Sequence, residues 1–95
     1  MKAELLFRKR EGLTETAFVE LVIWRVQEPV RGSSHAYKYS LALVSEGVCV
    51  LRYDNEAGKG DHKHVAGREV DYRFIDLATL QTDFWTDVEM WRTGR

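Results

Sequence analysis

The sequence predicts an α+β fold: a small antiparallel meander sheet of four to five strands with one C-terminal helix packed on a face. Three observations lead there. Residues 3–53 hold four runs rich in aliphatic, aromatic and β-branched residues, separated by polar or glycine-containing turns. Residues 76–95 drop the alternation for an apolar stripe at spacings of three and four. With 95 residues, the chain fits a single domain over residues 1–95 with a thin core.

The elements follow in order. Ala3 to Arg8 reads as a first strand, with Ala3, Leu5 and Phe7 on one face, and Lys9 to Gly12 as its turn. Thr14 to Val26 reads as a second strand that is apolar on both faces. Ala17, Val19, Leu21 and Ile23 line one side, and Phe18, Val22, Trp24 and Val26 the other, broken by Glu20. Such a strand wants cover on both sides, from the helix on one and from a homodimer mate or other partner on the other, unless its bulky side chains shield one another. Gln27 to Ala36 is a polar loop. Tyr37 to Val44 and Val48 to Tyr53 form the third and fourth strands around Ser45-Glu46-Gly47. Asp54 to Gly67 is too polar for a strand core and reads as a loop, with Val70 to Ile75 a short fifth strand. Asp76 is placed to cap the helix, whose stripe is Leu77, Leu80, Phe84, Val88 and Trp91.

Composition excludes several classes. Hydrophobic residues are 44% and charged residues 31%, which argues for a folded globule. Cys49 is the sole cysteine, so neither an intrachain disulfide nor a cysteine-rich zinc site forms. In an apolar strand it is expected to be a small buried hydrophobe. There is no secretory signal pattern and no apolar run long enough to span a bilayer, so a cytoplasmic location without membrane contact is expected. The net charge of −1 conceals polarity. Lys2, Arg8, Lys9 and Arg10 outweigh Glu4 in residues 1–10. Asp76, Asp83, Asp87 and Glu89 outweigh Arg92 and Arg95 in residues 76–95.

Chemistry concentrates in Asp54-Asn55-Glu56-Ala57-Gly58-Lys59-Gly60-Asp61-His62-Lys63-His64. Gly58 and Gly60 permit a tight turn or the close approach of a ligand. His62 and His64 titrate near neutral pH, and if extended they share one side of the backbone. They are candidate acid and base for cleaving RNA, with Asp61 orienting one of them. Lys59 and Lys63 are candidate phosphate contacts, with Asp54 and Asn55 beside the substrate and Arg8, Lys9 and Arg10 extending an RNA track. The same residues also suit a metal site, with Asp61 or Asp54 as third ligand. A solvated hairpin tip is the plain alternative. Tyr37, Tyr39 and Tyr53 are either base-stacking residues or core aromatics. Ser33-Ser34-His35 lacks the strand–turn–helix elbow of a serine hydrolase.

The same block resembles the signature of TumE-type proteins, the toxin half of bacterial and archaeal type II toxin–antitoxin modules. Lys2 to Arg10, Val19 to Val30, and Tyr72 to Glu89 fit the same pattern, so the resemblance covers nearly the whole chain. It implies toxicity and a helix-turn-helix antitoxin partner, and it carries over no catalytic residue. A metal-independent ribonuclease without cofactor is the leading expectation. The alternatives are a non-enzymatic protein-binding module acting through the Phe18 to Val26 strand and the acidic helix, and a metal-assisted nuclease.

Overall fold

The computed structural model describes residues 3–94; Lys2 and Arg95, counted above among the terminal charges, lie outside them. The strands are β1 (Ala3–Gly12), β2 (Ala17–Val26), β3 (Tyr37–Ser45), β4 (Val48–Glu56), β5 (Gly60–Val65) and β6 (Arg68–Asp71). One helix, α1 (Leu77–Arg92), ends the chain. The strands form a single antiparallel meander in sequence order. The α+β class and the C-terminal helix stand, and the sheet has six strands where four to five were expected.

The additional strand comes from the polar segment read as a loop. Backbone pairing does not require apolar side chains where a strand lies near a sheet edge, and β4 runs on through Asp54 and Asn55 into a tight turn and β5. A second hairpin turns at Ala66-Gly67, both at positive φ (51° and 79°), the geometry that two-residue hairpin loops favour. β6 therefore occupies Arg68–Asp71, and residues 72–76 lead into the helix instead of forming the expected strand. Lys9 to Gly12 continues β1 rather than turning, and β2 begins at Ala17 rather than Thr14. The register shifts between Leu5 and Phe7, so these two no longer share a face, and Leu6 packs on the core instead.

Helix α1 covers one face of the sheet. Val19, Leu21, Ile23, Tyr39, Leu41, Leu43, Leu51 and Tyr53 form the core with Leu80, Phe84 and Val88. Tyr39 and Tyr53 are thus core aromatics. The Asp76 side chain accepts from Thr79 N at 2.7 Å, fixing the helix start and holding this carboxyl below its ordinary value. Among the described residues no helix covers the opposite face. There Phe18, Val22 and Trp24 are half-buried, and the Arg10 guanidinium sits 4.1 Å over the Phe18 ring, so side chains supply part of the cover expected of a partner. Cys49 is exposed, not buried, because the register shift at Val44 carries it away from the core side. No helix among the described residues is long and apolar enough to cross a membrane.

Candidate functional site

Strand β5 separates the motif into two sites. Successive side chains leave a strand on opposite faces, and directly paired residues share a face. Tyr53 pairs with Lys63 and Asn55 with Asp61, which puts Asp61 and Lys63 on the helix side. Asp54 pairs with His62 and Arg52 with His64, which puts both histidines on the open side.

On the helix side, Asp61 gathers the Gln27–Ala36 loop. Its carboxylate accepts from Ser33 Oγ (2.6 Å), Tyr39 OH (2.7 Å) and His35 Nε2 (2.7 Å). The backbone N–H of Tyr37 donates to His35 Nδ1 at 3.2 Å, so the Nε2 atom carries the proton shared with Asp61. His35 also stacks on Phe74, with ring centroids 3.8 Å apart. Asn55, 1% exposed, accepts from Tyr39 N and donates to Tyr37 O and Ser33 Oγ. Burial and hydrogen bonding to Asp61 push the Tyr39 phenol far above its ordinary value. The close approach that glycines were expected to give a ligand is taken by this loop. A Cβ on Gly60 would stand 2.6 Å from Gly32 O, and one on Gly32 would stand 2.7 Å from Gly60 N. Lys63 is likewise committed, reaching Asp87 of the helix at 3.1 Å beside Tyr53.

On the open side, His62 Nε2 lies 2.8 Å from Asp54 Oδ1 and 3.3 Å from Glu69 Oε2. His64 Nε2 lies 3.1 Å from the same Glu69 oxygen, and the two imidazole centroids are 5.2 Å apart. The His62 side chain is 3% exposed and that of His64 44%, so only His64 meets solvent freely. Lys59 reaches Glu69 at 3.6 Å from the hairpin turn. A hollow of about 240 Å³ next to the pair is lined by Cys49, Val50, Arg52, His64 and Gly67.

Register extends this side into two rows across the whole sheet. One runs Arg8, Val22, Ser40, Asp54, His62, Asp71; the other runs Arg10, Glu20, Ala42, Arg52, His64, Glu69. The family model described as Toxin TumE matches residues 3–92, which takes in both rows, the motif and the helix. The chain belongs to the TumE toxin family. No curated protein and no solved structure matches it.

Membership in this toxin family leaves the individual roles to geometry. His62, His64, Asp54 and Lys59 are brought together on the open face. Asp61 touches neither His62 nor His64, because odd and even positions of β5 diverge, so it orients His35 instead. Lys63 and Asn55 face the helix side for the same reason. Arg8 and Arg10 share the open face but stand on β1, four positions from β5, roughly 19 Å at about 4.8 Å per strand. Lys9 points the other way and pairs with Glu11 at 3.0 Å. Glu69 was not foreseen. Its signal was the Ala66-Gly67 turn, which sets His64 opposite Glu69 once a two-residue hairpin is assumed.

Proposed function

We propose that this TumE-family toxin acts by cutting RNA, with the scissile phosphate seated on the open face against His64 and Glu69. The observation that supports this is the solvent-accessible His64–Glu69 pair, set in cross-strand rows that carry Arg8, Arg10 and Arg52 alongside Glu20, Asp54, Glu69 and Asp71, with Arg10 held by Glu20 at 3.8 Å. The arginines supply sequence-independent attraction for a phosphate backbone. An imidazole and a carboxylate 3.1 Å apart at an accessible edge are suited to moving the 2′-hydroxyl proton and protonating the leaving oxygen. His62 is too buried to meet the substrate, so the two-histidine acid–base pair gives way to His64 with Glu69. The partner that silences the toxin is proposed to be a helix-turn-helix antitoxin, as the resemblance implies, and a homodimer is the other candidate cover for the open face.

Induction of the wild-type chain in a host without antitoxin should arrest growth, and purified protein should cleave RNA. His64→Ala should lower cleavage by about 100-fold or more and relieve the arrest. Undiminished cleavage by His64→Ala would overturn the assignment. Arrest without any RNA cleavage would favour the non-enzymatic binding module.

A further inference from the structure

We infer that Asp54, His62 and His64 form a binding centre for a first-row divalent cation of the zinc or manganese class, with Glu69 at its mouth. The inference deepens the RNA-cleavage reading by naming the ion of the same site, while cation binding itself is measurable without RNA.

The geometry rests first on distances. One ligand atom from each of Asp54, His62 and His64 lies within 4.8 Å of the other two. Ligand atoms about 2.0–2.2 Å from a tetrahedral ion stand roughly 3.3–3.6 Å from one another. Within this set His62 Nε2 and Asp54 Oδ1 stand 2.8 Å apart, shorter than that edge, and Glu69, 3.3 Å from His62 Nε2 and 3.1 Å from His64 Nε2, lies beside the set as a further carboxylate. Three protein ligands with one further position is also the arrangement of ions that do chemistry.

The second observation is independent. His62 Nδ1 lies 3.1 Å from the carbonyl oxygen of Gly60, which only accepts, so the proton is on Nδ1. Nε2 is then turned toward two carboxylates. It is buried, and so is Asp54 Oδ1, yet neither has a hydrogen-bond partner despite their 2.8 Å separation, because the atoms are out of line for one. A buried, misaligned nitrogen and carboxylate oxygen leave a costly pair of unsatisfied atoms. A cation beside both satisfies them together. The Nδ1–H donated to a backbone carbonyl is the outer contact that metal-bound histidines commonly make, and it fixes the ring so that Nε2 faces the ion.

The donor set points to the ion class. Imidazole with carboxylate suits zinc, iron, nickel or manganese more than magnesium or calcium, which prefer all-oxygen shells. The carboxylates of Asp54 and Glu69 balance a double positive charge. With an ion bound, His64 Nε2 would be a ligand in place of the proton-transfer part given it above, Glu69 would keep its own part, and the ion would supply positive charge for a phosphate.

The test is calorimetric titration of the full chain, stripped with EDTA and dialysed, with zinc chloride and separately with manganese chloride. Saturable binding of about one ion per chain is expected, with no added RNA. Asp54→Asn and His64→Ala should each weaken it by more than the roughly 10–100-fold cost of losing an outer contact. Cys49→Ser, altered in the hollow beside His64, should bind as the wild type does. His62→Ala removes a buried ring and can fail to fold, so the decision rests on the other variants, checked by circular dichroism. Absence of saturable binding, unchanged binding in both Asp54→Asn and His64→Ala, or loss in Cys49→Ser would overturn the centre. Saturable binding lost in the two ligand variants, with no RNA cleavage in either metal state, would uphold the centre and overturn the RNA reading.

Discussion

The two faces of β5 contrast at neighbouring positions. Asp61 is a partly buried residue whose carboxylate has every contact answered: a serine, a tyrosine and a histidine all donate to it. Asp54, seven positions earlier and one strand over, is a buried carboxylate whose Oδ1 accepts nothing. Satisfied buried groups hold a fold together, whereas unsatisfied ones persist where a ligand or a reaction needs them. The first face fastens a loop and the second has the character of a site.

The largest effect expected from this contrast is on stability. Asp61→Ala strands three donors in a 9% exposed position and should cost about 3 kcal/mol or more by urea denaturation. Asp54→Asn should change stability by less than about 1 kcal/mol, in either direction, because the native carboxylate oxygen makes no hydrogen bond to lose, yet it should abolish toxicity. Equal destabilisation by the two variants would break the contrast.

The next effect is alkaline. Tyr39, Tyr53 and Tyr72 donate to Asp61, Asp87 and Asp83, all on the helix side. Burial first, and these carboxylates second, raise all three phenols above their ordinary value. A raised native pKa gives stability that is complete below the unfolded value, near 10, and that declines as pH rises beyond it. Thermal melting temperature should therefore hold to about pH 9 and fall above about pH 10. Tyr72→Phe, at the most exposed of the three, should soften that fall. An alkaline decline unchanged in Tyr72→Phe would remove this tyrosine from the account.

The smallest effect concerns the turn that brings Glu69 to His64. Ala66 adopts φ 51°, a region that asparagine tolerates better than alanine. Ala66→Asn should stabilise by about 0.5 kcal/mol and leave toxicity intact. A loss of toxicity would show that this turn does more than set register.

Periodicity alone was enough for much of the molecule. The stripe Leu80, Phe84 and Val88 is the buried helix face, Asp76 caps the helix, and Val19, Leu21 and Ile23 are core, because burial follows a period that composition displays directly. The shared side of His62 and His64 was legible for the same reason. The polar hairpin was not, because sheet-edge pairing satisfies backbone groups whatever the side chains are. Nor were the partners of each motif residue. Asp61 and His62 are adjacent in sequence and lie on opposite faces, while His62 meets Asp54 and Glu69 only through the register of two hairpins. Sequence by itself determined which apolar residues alternate along the core strands and where the helix starts and which face it buries. Tertiary structure alone decided which of them meet, since a neighbour across a strand is chosen by hydrogen-bond register and not by distance along the chain.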